Sequence, residues 1–133
     1  MLKVFPIQQK SEQEALCARC GIPFEAELLA YQATVDEVFV GVCQFKLTPE
    51  GGVIYHLAPT ADRPIDNEAM FVMGRAALNF IDLCGIHRAF YAGDESIPGA
   101  QLLHAVGFRK NAEGRLEMDL TDFFSAPCQH HHD

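Results

Sequence analysis

The chain has 133 residues, of which 49% are hydrophobic and 21% charged, and its formal net charge is −8. This length predicts one domain with its own hydrophobic core, and the excess of acidic residues disfavours a nucleic-acid partner, because duplex binding depends on Lys and Arg that neutralise phosphates. The absence of a long apolar run and of a signal-peptide pattern predicts a cytoplasmic protein that does not bind membranes.

The first predicted elements are an edge strand and a short helix. Leu2–Ile7 reads as an edge strand, because Pro6 near its end has no N–H to donate to a neighbour. Ser11 and Glu14 form a capping box, which predicts a helix over residues 11–20. Its modest apolar face comprises Ala15, Leu16 and Cys20.

Three strands joined by short turns follow, and they predict an antiparallel meander. The first two cover residues 26–34 and 38–47, with a polar turn at residues 35–37. A second turn, residues 48–52, contains proline and two glycines and leads into the strand Val53–Ala58. Strict alternation along this strand places three side chains on one face: Ile54, His56 and Ala58.

A long amphipathic helix connects the meander to the next strand. Asp66 is its predicted N-cap, and Gly85 is its predicted stop in the left-handed conformation. The strand Val53–Ala58, this helix and the strand Arg88–Ala92 form a β-α-β unit, whose two strands are parallel. The apolar positions of the helix, spaced by three and four residues, are Met70, Met73, Ala77, Phe80, Ile81 and Cys84.

The last elements are a second helix and a closing hairpin. Ser96 is the predicted cap of a helix over Pro98–Val106, and Gly107 ends it. The hairpin pairs Phe108–Lys110 with Arg115–Leu120 and precedes one helical turn at residues 121–124.

The whole pattern predicts a single domain over residues 1–124 and a disordered tail over residues 125–133. The fold class is α/β (α+β), with a mixed, mostly antiparallel sheet of about six to seven strands and helices on both faces. Exposed strand edges favour a homodimer.

This order of elements resembles the GNAT superfamily of N-acetyltransferases, and three segments carry the resemblance. Leu102–Phe108 (LLHAVGF) is similar to the family's segment in which an aliphatic–aromatic pair precedes a terminal Gly-Phe. Leu116–Phe124 resembles its last strand and exit, and Leu57-Ala-Pro59 resembles the end of its fourth strand. The resemblance extends from Glu27 to Phe124 and implies a GNAT-like fold with acetyl-CoA as cosubstrate.

The resemblance also implies a cofactor site between the fourth and fifth strands. The backbone N–H of Leu57 would polarise the thioester carbonyl, and Pro59, two residues later, would also belong to the cofactor site. Ser96 would hydrogen-bond a pantetheine amide. The pyrophosphate would lie at the N-terminus of the long helix, with Arg63 and Asn67 as its candidate contacts. A solvated surface arginine is the alternative for Arg63.

Two features depart from the family pattern. The loop Thr60–Glu68 contains no glycine where the family has Arg/Gln-x-x-Gly-x-Gly/Ala, and Pro64 removes one donor. The tyrosine that often protonates the leaving thiolate falls at Leu103, and His104 is turned about 100° around the helix from it. Three carboxylates near the loop either cap the helix or recognise a cationic substrate: Asp62, Asp66 and Glu68.

Histidine and cysteine side chains are the other candidates for chemistry. His56 is a candidate general base if its face lines the cleft, and a histidine hydrogen-bonded in or beside the sheet is the alternative. Tyr55 and Tyr91 on neighbouring strands either line the same cleft or pack.

Cys17 and Cys20 have the C-x-x-C spacing of zinc and redox sites. No second such pair exists, and Cys128 with His130–His132 is the only further ligand set, so we expect no metal. Five cysteines at irregular spacing favour reduced thiols, and on a helix two of them commonly pack as small hydrophobes.

Two functions remain open at this point. One is an acyl-CoA-dependent N-acyltransferase that transfers the acyl group directly to an amine of a small molecule or peptide, with His56 or a water taking the proton. The other is a catalytically inactive GNAT-like domain that acts as a binding or regulatory module. The glycine-free loop and Leu103 favour the second function, and Leu57-Ala-Pro59 favours the first.

Overall fold

The computed structural model describes residues 1–124, which form one seven-stranded sheet and three helices. None of these helices has the length and apolar character needed to cross a membrane. The predicted tail, with Cys128 and His130–His132, lies outside the described residues. The strands are β1 Leu2–Pro6, β2 Leu29–Val35, β3 Val38–Leu47, β4 Gly52–Pro59, β5 Arg88–Tyr91, β6 Arg109–Lys110 and β7 Leu116–Asp119; the helices are α1 Lys10–Arg19, α2 Asn67–Leu83 and α3 Ala100–Val106.

The sheet confirms the predicted class, since it is mixed and mostly antiparallel. Its strand order is β1-β2-β3-β4-β5-β7-β6, and only β4 and β5 are parallel. α2 makes the crossover between those two strands, as the β-α-β prediction required. β2 and β3 join through Asp36 and Glu37, whose φ values of 51° and 71° are those of a tight hairpin turn.

Helices pack on both faces of the sheet. α2 buries its predicted stripe against the inward side chains of β3 and β4, while Cys84 is exposed because it caps the helix end. Asp66 caps α2 as predicted, and Gly85 ends it with a φ of 85°. On the opposite face, α1 covers a smaller apolar cluster made of Ile7, Cys17, Ala30, Phe39 and Val42.

The predicted capping box of α1 is wrong, and its predicted apolar face is confirmed in part. The helix begins at Lys10 with Gln9 as a cap that makes no side-chain bond, and Ser11 is exposed. Of the predicted face, Leu16 and Cys20 are half-buried against the apolar cluster under α1, whereas Ala15 is exposed. The residues that the helix buries fully are Gln13 and Cys17. Tertiary hydrogen bonding of the Gln13 amide decides which face turns inward, and local sequence does not encode it.

Two other predicted boundaries are also wrong. β2 begins at Leu29 rather than residue 26, because residues 25–28 form a turn closed by a 3.1 Å bond from the Leu28 N–H to the Glu25 carbonyl. α3 begins at Ala100 with Gly99 as its cap, so neither Ser96 nor Pro98 belongs to it. Ser96 instead directs its backbone N–H and hydroxyl to the Asp94 carboxylate, at 2.9 and 2.7 Å.

Candidate functional site

A β-bulge in β4 determines which side chains reach the candidate site. Gln44 of β3 pairs with His56, but the next residue, Phe45, pairs with Ile54, so Tyr55 is an extra residue on β4. Ile54 is buried in the main core on the α2 face. The prediction that Ile54 and His56 share a face is therefore wrong, because the bulge reverses the alternation and turns His56 toward the α1 face.

The N–H of Leu57 points away from β3. The Thr60 N–H donates to the Val40 carbonyl at 2.9 Å, which makes Thr60 and Val40 a hydrogen-bonded pair. Such pairs alternate along an antiparallel ladder, so Leu57, opposite Cys43, occupies a non-hydrogen-bonded position. Pro59 lies at the next non-hydrogen-bonded position, where the strand pairing requires no N–H, so a proline costs no hydrogen bond to β3.

At the level of Leu57, β5 no longer pairs with β4. The parallel pairing of β4 with β5 stops at Ile54 and Tyr91, and a last bond of 2.8 Å joins the Ala92 N–H to the Ile54 carbonyl. The Leu57 N–H thus faces a gap between two splayed strands.

A cavity of about 220 Å³ lies beside this gap. Three segments form its wall: the turn after α1, the end of β4, and the chain that follows β5. Its lining residues include both predicted catalytic positions, His56 and Leu57, together with Ile22, Tyr91, Asp94 and Ile97.

Tyr91 closes one side of the gap. Its hydroxyl hydrogen-bonds the Ile97 carbonyl and lies 3.3 Å from the Asp94 carbonyl. Burial raises the pKa of Tyr91 above its usual range, and a hydrogen bond from the Leu57 backbone N–H opposes that effect. The Tyr91 hydroxyl therefore accepts from the N–H that the family resemblance assigns to a thioester carbonyl.

His56 is held by a hydrogen bond from the buried amide of Gln44, at 2.9 Å from its Nδ1. Burial lowers the pKa of His56, and the charge of Glu25 partly opposes this. The imidazole is therefore neutral at neutral pH. Gln44 is not among the residues that the sequence predicted for the site, although a polar residue inside the apolar run of β3 is a signal that could have identified it.

The glycine-free loop before α2 is closed by its own hydrogen bonds. Asp62 accepts from the Thr60 hydroxyl at 3.0 Å and lies 3.5 Å from the Arg19 guanidinium and 3.9 Å from that of Arg63. The hydrogen bond from Thr60, then the Arg19 charge, lowers the pKa of Asp62. These contacts offset the negative charge that Asp62 brings to the loop.

The helix N-terminus still presents free donors. The Asp66 carboxylate accepts from the Ala69 N–H at 3.0 Å, while the N–H groups of Asn67 and Glu68 precede the first acceptor inside the helix. The structure places Asn67 in a groove with the start of α3, and Arg63 in another groove beside Pro64 and Asp66. Arg63, Asn67 and Ser96 thus stay predicted cofactor contacts that lie outside the cavity of His56 and Leu57.

We expect the variant Asp66→Ala to lower the free energy of unfolding by about 1 kcal/mol, because the Ala69 N–H loses its acceptor at the helix start. Urea unfolding measures the change. Asp66→Asn is the matched control, since its amide oxygen keeps the cap and should recover most of the loss. Equal losses in the two variants would contradict a capping role.

Cys17 and Cys20 are not poised for thiolate chemistry. Burial raises the pKa of Cys17 to about 11 and that of Cys20 to about 12. Within residues 1–124, no group of three or more His, Cys, Asp or Glu side chains is placed to hold a metal ion. Cys17 instead packs in the apolar cluster under α1.

Comparison with known proteins shows the fold. The sequence matches no protein-family model and no curated protein sequence. An acetyltransferase of Bacillus subtilis in complex with CoA superposes with a TM-score of 0.69 at 16% identity, over 90% of this chain and 99% of its own. The IAA acetyltransferase of Bacillus cereus superposes with a TM-score of 0.70 at 16% identity, over 90% of this chain and 100% of its own.

An archaeal structure agrees with these two. The PaiA N-acetyltransferase of Thermoplasma acidophilum, in complex with coenzyme A, gives a TM-score of 0.67 at 10% identity, over 90% of this chain and 99% of its own. The chain therefore has the fold of the GNAT N-acetyltransferases, which confirms the resemblance seen in the sequence.

Proposed function

We propose that this protein is an acyl-CoA-dependent N-acyltransferase that transfers an acetyl group from acetyl-CoA to the amine of a small molecule or peptide. One observation carries the proposal: the Leu57 N–H leaves the β3–β4 ladder and faces the gap between β4 and β5. That gap borders a cavity of about 220 Å³, the right size for a small amine-bearing group.

The residues around the gap fit the parts of an acyl-CoA. The Leu57 N–H is a donor for a carbonyl oxygen, which is also where negative charge develops when an amine attacks a thioester. The N–H groups of Asn67 and Glu68 and the α2 dipole favour a pyrophosphate, with Arg63 as the nearby cation. The contacts of Asp62 with Thr60, Arg19 and Arg63 reduce the repulsion that the loop would otherwise exert.

The chemistry is direct transfer. The amine nitrogen forms a bond to the carbonyl carbon, the carbon–sulfur bond breaks, the amine gives one proton to a base, and the thiolate takes one from solvent. Of the two bases that the sequence suggested, water is favoured over His56, because Gln44 occupies the Nδ1 lone pair. Leu103 is fully buried and supplies no proton.

Thermal unfolding with and without millimolar acetyl-CoA tests the proposal. A ligand at a hundred times its dissociation constant adds about 2.7 kcal/mol, which is a Tm shift on the order of ten degrees for a domain of this size. We expect this shift with acetyl-CoA, a smaller one with desulfo-CoA, and none with ATP. Release of free thiol with a panel of amines then measures turnover.

A pair of arginine variants tests the phosphate contact. Arg63→Gln should weaken acetyl-CoA binding about fivefold to tenfold, because a charge-assisted hydrogen bond is lost. Arg88→Gln is the matched control, since this exposed arginine follows the far end of α2, about 25 Å away. No Tm shift with acetyl-CoA would contradict the acyltransferase and favour a binding or regulatory module instead.

A further inference from the structure

A chain of buried amides fixes the orientation of His56. Gln44 is fully buried, and its amide lies 2.9 Å from the Pro23 carbonyl. A carbonyl oxygen only accepts, so the atom facing Pro23 is the amide nitrogen. The same nitrogen has a second hydrogen, which points to the His56 Nδ1 at 2.9 Å.

The other end of the chain permits only this orientation. The Gln44 Oε1 accepts from the Gln13 Nε2 at 2.9 Å, and that Nε2 also donates to the Leu28 carbonyl. The Gln13 Oε1 accepts from the Lys10 ammonium at 3.0 Å. Rotating the Gln13 amide by 180° would set its oxygen against the Leu28 carbonyl and its nitrogen against the Lys10 ammonium. Rotating the Gln44 amide would set its oxygen against the Pro23 carbonyl and its nitrogen against the Gln13 amide nitrogen. Buried groups left without a partner cost about 1–3 kcal/mol each, so the network has one arrangement.

The tautomer of His56 follows from this arrangement. Because Nδ1 accepts from Gln44, the neutral ring carries its proton on Nε2. Among residues 1–124 the Nε2 has no hydrogen-bond partner, and no buried side-chain nitrogen or oxygen is left unsatisfied, so Nε2 is accessible. His56 lines the cavity beside Leu57 and therefore offers it an N–H donor.

The rest of the cavity limits what this donor can bind. Ile22, Pro23 and Ile97 form apolar walls around a volume of about 220 Å³. Asp94 also lines the cavity, and hydrogen bonds from the Ser96 hydroxyl and N–H lower its pKa, so it is ionised. A second carboxylate in this space is repelled, whereas an ammonium group is attracted.

We propose that His56 is a specificity-determining hydrogen-bond donor, and that the cavity selects amines with an uncharged carbonyl oxygen nearby, as in an α-amino amide or a peptide N-terminus. The His56 Nε2–H binds that carbonyl oxygen, and Asp94 attracts the ammonium form of the amine before it loses its proton. Gln44 and Gln13 act as positioning residues, because they hold the tautomer. This inference rests on the acyltransferase function proposed above.

Three acceptors of similar size test the selection: alaninamide, alanine and propylamine. The initial rate of acetyl transfer at low acceptor concentration, divided by the fraction of the amine that is unprotonated at the assay pH, gives kcat/KM for each free amine. We expect alaninamide to exceed propylamine by about tenfold or more, because only its carbonyl satisfies the Nε2–H. Alanine should also be a poor acceptor, since Asp94 repels its carboxylate. Equal use of alaninamide and propylamine would overturn the proposal.

Two substitutions of His56 distinguish a role as hydrogen-bond donor from a role as general base. His56→Gln places an amide nitrogen close to the position of Nε2 but has no basic group, so the preference for alaninamide should persist within about threefold. His56→Phe keeps the ring shape without any donor, and the ratio should fall to near one. If His56→Gln abolishes turnover as fully as His56→Phe, His56 is the base and the proposal fails.

A spectroscopic measurement stands apart from catalysis. In the ¹⁵N spectrum of the full chain at pH 8, we expect the His56 imidazole to show a protonated Nε2 and an unprotonated Nδ1, and alaninamide to shift the Nε2 signal more than propylamine does. A proton on Nδ1 would overturn the inference. Because this readout needs no acetyl-CoA, it still decides the role of His56 if the acyltransferase function itself fails.

Discussion

Replacing Gly93 with alanine should lower the free energy of unfolding by about 3 kcal/mol and weaken acetyl-CoA binding at the same time. Gly93 follows β5 at the point where β4 and β5 diverge. A Cβ there would lie 2.2 Å from the Tyr55 carbonyl oxygen and 3.0 Å from the Tyr91 hydroxyl. The closer of these atoms belongs to backbone, which cannot rotate away as a side chain does.

Acetyl-CoA binding should weaken together with stability, because Tyr55 is the bulged residue of β4. A shift of its carbonyl moves the turn of chain that directs His56 to one face and the Leu57 N–H into the gap. The Tm should fall on the order of ten degrees, and the stabilisation by acetyl-CoA should shrink or vanish. Urea unfolding and the thermal scan with ligand measure the two effects.

Gly85→Ala is the matched control. Gly85 has a φ of 85°, and a Cβ built there meets nothing within 4 Å. The cost is therefore conformational and amounts to about 1 kcal/mol, with acetyl-CoA binding intact. If Gly93→Ala and Gly85→Ala lose the same stability and both keep binding, the close approach of Gly93 to the bulge has no structural importance.

The helices and strands could be predicted well because the signals for each one lie in its own short stretch of sequence. The period of α2, its Asp66 cap and its Gly85 stop all lie within one stretch of chain, and the structure confirms them. The β-α-β unit followed from the order of strand, helix and strand. The fold resemblance then needed only the sequence of elements and a few motifs such as Leu57-Ala-Pro59.

The errors arise where a distant partner decides the outcome. The face of α1 depends on Gln13 reaching Gln44 across 31 positions of sequence, and the start of α3 depends on Asp94 drawing Ser96 into a turn. The bulge at Tyr55 exists only in the pairing of β4 with β3, so strict alternation misplaced Ile54 relative to His56. Each of these is a tertiary effect that no local pattern records.

Replacing Tyr91 with phenylalanine should have opposite effects on stability and on acetyl-CoA binding. The variant removes the hydroxyl that hydrogen-bonds the Ile97 carbonyl and accepts from the Leu57 N–H. Loss of these bonds in a buried setting should lower the free energy of unfolding by about 2 kcal/mol. The Leu57 N–H is then left without a partner in the ligand-free protein.

An unpaired donor binds a new acceptor more favourably than one that must first give up its partner. Acetyl-CoA, whose carbonyl oxygen takes the Leu57 N–H under the proposed function, should therefore bind Tyr91→Phe about fivefold more tightly, equivalent to about 1 kcal/mol. CoA has no acyl carbonyl, so its affinity should be unchanged. Isothermal titration calorimetry with the two ligands measures the difference directly.

Tyr31→Phe is the matched control for the loss of a hydroxyl. Tyr31 lies on β2, where its ring stacks on Phe45 with centroids 5.7 Å apart, and it does not line the cavity. Neither stability nor the ratio of acetyl-CoA to CoA affinity should change much in this variant. If Tyr91→Phe alters the affinities for CoA and acetyl-CoA equally, then the Leu57 N–H does not bind the acyl carbonyl. The gap between β4 and β5 would in that case hold some other part of the ligand.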